Sequence, residues 1–237
     1  MNTLHYANQG YRYINRCIGI IYHIYKQVGS NFTLKMAYNK DIWKKRHRHR
    51  SDISIYVTHL TKENSELDSF QVMRKILTEK KIVGSNRNGF IIGNSTAVCF
   101  QDIPLYGVCQ NSFHEQMNRT ELGGVLRYRP IGLTFEKEYL FNKGARPVLY
   151  EKKNLAKQIL PEEEWWRIVN YDLSNENNII DWTHEREWRI KGDLEFDLNQ
   201  VILIMPHGMS YEDMKEKFGE DILNGIKGVT ILDPILT

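Results

Sequence analysis

The chain has little of what would place it in a membrane, in an oxidising compartment or in a familiar nucleotide-binding class. No apolar run approaches the ~20 residues that a membrane span needs, and the most apolar segment, CIGIIYHIYKQVG, is interrupted by His23 and Lys26. No small-residue cleavage site follows that segment, so it does not read as a signal peptide. Cysteine is scarce: Cys17, Cys99 and Cys109 form no C-x-x-C pair and leave an odd thiol, which argues against a disulfide framework or a zinc site and for a reducing compartment. A cytoplasmic location is the expectation, and the sequons at Asn31, Asn94 and Asn118 then carry no meaning. There is no internal repeat, no P-loop, no G-x-G-x-x-G and no H-E-x-x-H.

What is present suits one compact domain with an extension. At 237 residues and 41% hydrophobic content, the chain can bury a substantial core. Residues 1–50 differ in character from the rest. Residues 13–28 have the pattern of an amphipathic helix, with Ile14, Cys17, Ile18, Ile21 and Ile24 on its apolar side. Lys44, Lys45, Arg46, Arg48 and Arg50 then pack five cations into seven residues, around His47 and His49. With a net charge of +3 overall, the remainder is nearly balanced. A cluster this dense releases counterions when it meets a phosphate backbone; the other reading is a solvated linker.

Residues 51–237 read as an α+β domain whose strands bracket helices. In ISIYVTHL, Ile53, Ile55, Val57 and His59 share one strand face. Leu67, Phe70, Met73, Ile76 and Leu77 then recur at helical spacing. Residues 93–108, GNSTAVCFQDIPLYGV, form a glycine-led turn into a β-prone run. A helix is expected from Asn154 to Tyr171, with Pro161 opening its second half and Trp165 and Trp166 either packed or serving as a platform. Ser210 and Asp213 suggest a capping box, Gly219 a stop, and GVTILDPIL a closing strand.

The most informative stretch is DWTHEREWRI, residues 181–190, which carries Glu185 and Glu187 two apart. In a strand that spacing puts both carboxylates on one face. Downstream, Leu194, Phe196 and Leu198 alternate with polar residues before the apolar run Val201–Met205. A solvated strand edge would look the same. In context, however, an E-x-E strand edge feeding a core strand resembles the third motif of ADP-ribosyltransferases.

The order of pieces extends that resemblance to the DarT-type DNA-targeting toxins and the AbiGi-type abortive-infection proteins. Thr58, His59 and Leu60 match a strand ending in T-H-[IL] before a helix. VCFQDIPLYG loosely matches a β-turn of the form VPFYF-x-x-x-P, and EWRIKGDLEF matches the glutamate strand. Residues 131–152, IGLTFEKEYLFNKGARPVLYEK, carry the AbiGi likeness. Together these span roughly residues 53–207. The resemblance implies an ADP-ribosyltransferase-like split β-sheet core with flanking helices. It also implies NAD as substrate, ADP-ribose transfer to a macromolecule with nucleic acid favoured, toxin or phage-defence biology, and an antitoxin or regulatory partner. The arginine that DarT toxins carry after their second segment has no equivalent among Ile103, Pro104 and Leu105, so transfer to DNA bases does not carry over.

The resemblance and the chemistry together name the candidate residues. Breaking the nicotinamide glycosidic bond passes through an oxocarbenium-like sugar, which a carboxylate at the ribose stabilises. Glu187 suits that role, and Glu185 resembles the acceptor-activating position. His59 is the donor expected at the ribose or phosphates of NAD beside Thr58; Phe100 or Tyr106 is expected to stack on nicotinamide. Ser95 and Thr96 resemble a serine-threonine motif supporting the catalytic strand. Each has a structural alternative: a hydrogen-bonded histidine, a core phenylalanine, a strand-initiating turn. At the level of the whole chain the alternatives are an inactive fold acting as a nucleic-acid-binding or interaction protein, and a nuclease holding a metal with Asp181, Glu185 and Glu187.

Overall fold

The computed structural model describes residues 39–86, 90–121, 123–124, 126–209 and 211–236. The expected helix at 13–28 and the capping residue Ser210 lie outside these. The chain divides into two compact units, residues 1–43 and 44–237. Of the first, only the stretch from Asn39 to Trp43 is described, and it opens the helix Lys40–Arg48.

The second unit is a mixed α/β domain around a seven-stranded, mostly antiparallel sheet. In chain order its strands are β1 (Tyr56–Leu60), β3 (Ala97–Gln101), β4 (Gly132–Glu136), β5 (Arg146–Pro147), β8 (Glu187–Lys191), β10 (Val201–Met205) and β11 (Gly228–Ile231), arranged β11-β10-β4-β1-β3-β8-β5. Two short ladders flank it: β2 (Lys81–Ile82) with β9 (Leu194–Glu195), and β6 (Leu149–Glu151) with β7 (Ile168–Asn170). Only β10 and β11 pair in parallel within the large sheet. Parallel neighbours need a crossover, supplied here by the helices Tyr211–Phe218 and Glu220–Gly225. Gly219 separates these two at a φ of 90°, where an L side chain would be strained.

Burial on both faces explains why the central strands are near-continuous apolar runs. On one face Val57, Phe100, Leu133, Phe135, Val201 and Leu203 form the main core with Met73, Leu77 and Phe218 from the covering helices. On the other, Ile204 packs against Cys109 and Leu232. The helical periodicity read downstream of Leu67 is realised as Ser69–Glu79, started by a capping box between Asp68 and Gln71 and ended by Lys80 in the left-handed region. The expected helix over 154–171 is instead three elements: a helix Lys153–Ile159, a 3-10 turn Glu162–Arg167 opened by Pro161, and β7. Proline removes a backbone donor and ends the first helix. The β-branched Ile168 and Val169 then pair with β6.

Candidate functional site

The sheet opens where the candidate residues meet. β1 pairs with β4 along its whole length and β3 pairs with β8 along its own, whereas β1 and β3 share a single register pair, Thr58↔Gln101. Beyond that pair the two strands part, and the His59 ring bridges the gap, its Nδ1 lying 2.9 Å from the Cys99 carbonyl oxygen. A cleft of about 1220 Å³ lies there, with Thr58, His59, Gln101, Glu185 and Glu187 in its wall. Residues far apart in sequence are thereby brought to one surface.

Glu187 begins β8 opposite Gln101. Its carboxylate is buried and bidentate with Arg189, at 2.7 Å to Nε and 3.2 Å to Nη2. Arg189 is 3% exposed, so its remaining donors need partners. Its Nη1 donates to the Trp166 and Ile168 carbonyls at 2.9 and 3.1 Å. The Glu187 backbone N–H donates to the Tyr150 hydroxyl at 2.7 Å. Backbone and carboxylate are both held, and since a carboxylate offers about four lone-pair sites, Glu187 keeps acceptor capacity toward the cleft.

Glu185 is not on the strand. It ends a 3-10 turn, Thr183–Glu185, and Arg186 follows in the left-handed region at φ 46°, ψ 51°. The expectation that strand alternation aligns the two glutamates is therefore corrected: the chain turns between them. What drives the turn is tertiary, since the Glu185 carbonyl accepts from Asp102 N–H and Arg186 Nη1 donates to the Asp52 carbonyl. Burial pushes the Glu185 carboxyl up to about 8, with the Glu187 charge adding to the effect. Gln101 Nε2 lies 3.4 Å from its Oε1, Asn111 lies behind Gln101, and the Tyr128 hydroxyl faces the same carboxyl. The site thus sets a carboxyl clamped by an arginine beside one whose ionisation is opposed by burial.

His59 differs from its expected role in polarity. Burial lowers its pKa, so the ring is neutral at pH 7, and the Cys99 carbonyl fixes the proton on Nδ1. Nε2 is then an acceptor. A ribose hydroxyl suits it; a phosphate oxygen does not.

The remaining candidates divide. Thr58 is buried, with its hydroxyl 3.2 Å from that of Thr134. Phe100 is 1% exposed and packs edge-on against Phe135, so its ring belongs to the core. Ser95 and Thr96 lie in the turn before β3 and Tyr106 is half-exposed on the helix Leu105–Met117; none of the three lines the cleft. Its aromatic wall comprises Phe90, Tyr128, Trp165 and Trp182 together with the nearly buried Phe100. The tryptophan pair splits its duties: Trp166 is buried, while Trp165 lines the cleft with the Lys157 ammonium 4.1 Å from its ring centre. Asp181 caps Thr183 through hydrogen bonds of 2.8 and 2.6 Å, and among the described residues no three His, Cys, Asp or Glu side chains gather as a metal-binding group. The trio needed for the nuclease reading does not assemble. The basic residues Lys44, Lys45, Arg46, Arg48 and Arg50 do not line the cleft. Arg50 is paired with Asp52, whose carbonyl accepts from Arg186.

Sequence reasoning missed Gln101, Arg127, Tyr128, Trp182 and Arg189. The signal for Arg189 was present, since an arginine two residues past Glu187 on a strand shares its face. Comparison of the chain with protein-family models, with curated proteins and with solved structures finds no match to any of them.

Proposed function

We propose that the protein is an NAD-consuming ADP-ribosyltransferase, with Glu187 at the nicotinamide ribose, His59 accepting from a ribose hydroxyl, and Glu185 relaying the acceptor proton. The observation that carries this reading is the meeting of His59, Glu185 and Glu187 in one cleft. The cleft is large for a single ligand, since ligand pockets span roughly 300 to 1,000 Å³, and it has room for a dinucleotide together with part of an acceptor. The Arg189 clamp holds the Glu187 carboxylate rigid, so it can meet the developing oxocarbenium charge without reorganising. Glu185 must lose its proton before it can act as a base.

One observation favours a second reading. The Glu187–Arg189 pair is almost wholly buried, and each partner already has hydrogen bonds within the fold, as in a structural ion pair. An inactive fold of this kind would act as a nucleic-acid-binding or interaction protein. Incubating the purified protein with NAD labelled in its adenylate and with cell extract separates the two. Label entering nucleic acid or protein, or free nicotinamide accumulating, supports the enzyme; no NAD consumption with any acceptor sinks it.

A further inference from the structure

The corner of the cleft beside Glu185 has a built cation that the ribose chemistry does not use. Arg127 lies in the extended segment leading to β4. That segment runs alongside the end of β1, with Thr61 N–H donating to the Ile131 carbonyl and Arg129 N–H to the Thr61 carbonyl. The guanidinium is fixed on two sides. Its Nη1 donates to both oxygens of Glu115, at 2.9 and 3.2 Å, and its plane lies over the Trp182 ring, 4.7 Å from the centre. Glu115 is 4% exposed and also accepts from the Arg127 backbone N–H. A buried carboxylate serving one arginine twice leaves that arginine a single orientation.

The Nε and Nη2 edge makes no hydrogen bond among the described residues, and Arg127 lines the cleft. Two parallel donors on a fixed plane match a phosphate bidentately. Lys62 lines the same corner, its ammonium 3.2 Å from the Leu126 carbonyl. Tyr128, the next residue, faces Glu185, and Trp182 lies three residues before Glu185 in the chain. A phosphate here therefore stands on the acceptor side of the cleft.

We infer that Arg127 and Lys62 form a phosphodiester subsite, with Trp182 as a stacking surface for an adjoining base, and that its ligand is the single-stranded nucleic acid acceptor. Arginine planes and tryptophan faces are what unpaired bases stack on, and a strand held here directs its nucleophile toward Glu185. The inference rests on the proposed function for the word acceptor, but its test does not.

The test is binding of fluorescein-labelled single-stranded oligonucleotides to the whole protein without NAD, read by anisotropy across a salt series. Arg127→Gln leaves Glu115 buried and unpaired, so the double variant Glu115→Gln/Arg127→Gln, with its melting temperature measured, accompanies the exposed Lys62→Gln. The expected result is a tenfold or greater rise in Kd for the double variant. For each variant the log–log salt slope should fall by about 0.7. Trp182→Leu should weaken binding to an oligonucleotide more than to the same strand made abasic. Unchanged Kd and slope in folded variants overturn the subsite. A rise in KM for NAD hydrolysis that equals or exceeds the loss of oligonucleotide affinity also overturns it, assigning the corner to the pyrophosphate of the dinucleotide. If the protein consumes no NAD yet these variants lose the oligonucleotide, the enzymatic reading falls and the subsite stands.

Discussion

Glu187, Glu185 and His59 are separable by experiment because their environments differ. Glu187→Gln keeps the size of the side chain and removes the charge, so any NAD turnover should fall a hundredfold or more, equivalent to about 3 kcal/mol of barrier. Full turnover in that variant would remove Glu187 from the mechanism. Glu185 carries a pH signature. Its pKa is raised in the folded state to about 8, so the stability it contributes is present below the unfolded carboxylate value and is lost as pH rises through about 8. Glu185→Gln should therefore match the wild type in unfolding free energy at pH 4 and exceed it at pH 8 by on the order of a few kcal/mol, read from denaturant melts at the two pH values. Transfer by the wild type should climb through the same range as the acid becomes a base, and a flat profile would argue against proton relay. His59→Ala should raise KM for NAD more than it lowers kcat, because a ribose hydrogen bond is made about equally in ground and transition states. A large loss of melting temperature without that KM change would make His59 the clasp between β1 and β3 and nothing more.

At the scale of elements, the cleft depends on β4 lying tight against β1. A Cβ on Gly132 would meet the His59 carbonyl oxygen at 2.2 Å, and both are backbone positions that cannot give way cheaply. Gly132→Ala should cost about 2–4 kcal/mol and disturb NAD binding through the displaced His59. Gly107, inside the helix Leu105–Met117, is the control. Its added Cβ would find only Ile103 at ordinary van der Waals distance, 3.5 Å, so Gly107→Ala should stabilise by about 0.5–1 kcal/mol. Thermal melts of the two single variants check both signs. Equal destabilisation would mean that β1–β4 spacing is not what sets the Gly132 requirement.

For the molecule as a whole, the basic run tests whether nucleic acid is approached from outside the cleft. Arg50 is already engaged with Asp52, so replacing Lys44, Lys45, Arg46, Arg48 and Arg50 with Ser removes fewer than five available phosphate partners. Every cation that genuinely pairs with a phosphate contributes roughly 0.7 to 0.9 to the log–log salt slope, so removing three of them shifts it by about 2. NAD consumption without acceptor is expected to survive, since none of the five lines the cleft. An unchanged slope would make the basic end of the helix Lys40–Arg48 a solvated surface and leave the Arg127 corner as the proposed place where nucleic acid is held.

The sequence by itself determined the elements with strong local periodicity. The helix at Ser69–Glu79 follows from the spacing of Phe70, Met73, Ile76 and Leu77, and the strands at Val57, Val98 and Val201 follow from apolar runs between turn signals. It also drew attention to His59, Glu185 and Glu187, because a polar residue ending an apolar strand and a close carboxylate pair are visible in one dimension. Only the tertiary structure decided what those residues face. The left-handed Arg186 takes Glu185 off the strand through bonds to Asp102 and Asp52. The direction of the His59 hydrogen bond was set by the Cys99 carbonyl across the open seam. Arg127, Tyr128 and Trp182 had no local pattern to betray them, since each owes its orientation to partners such as Glu115 and Glu185 that the fold supplies from other elements. Periodicity reports which residues are buried; the position of a lone polar group in a cleft depends on long-range strand pairing, which leaves no trace in neighbouring residues.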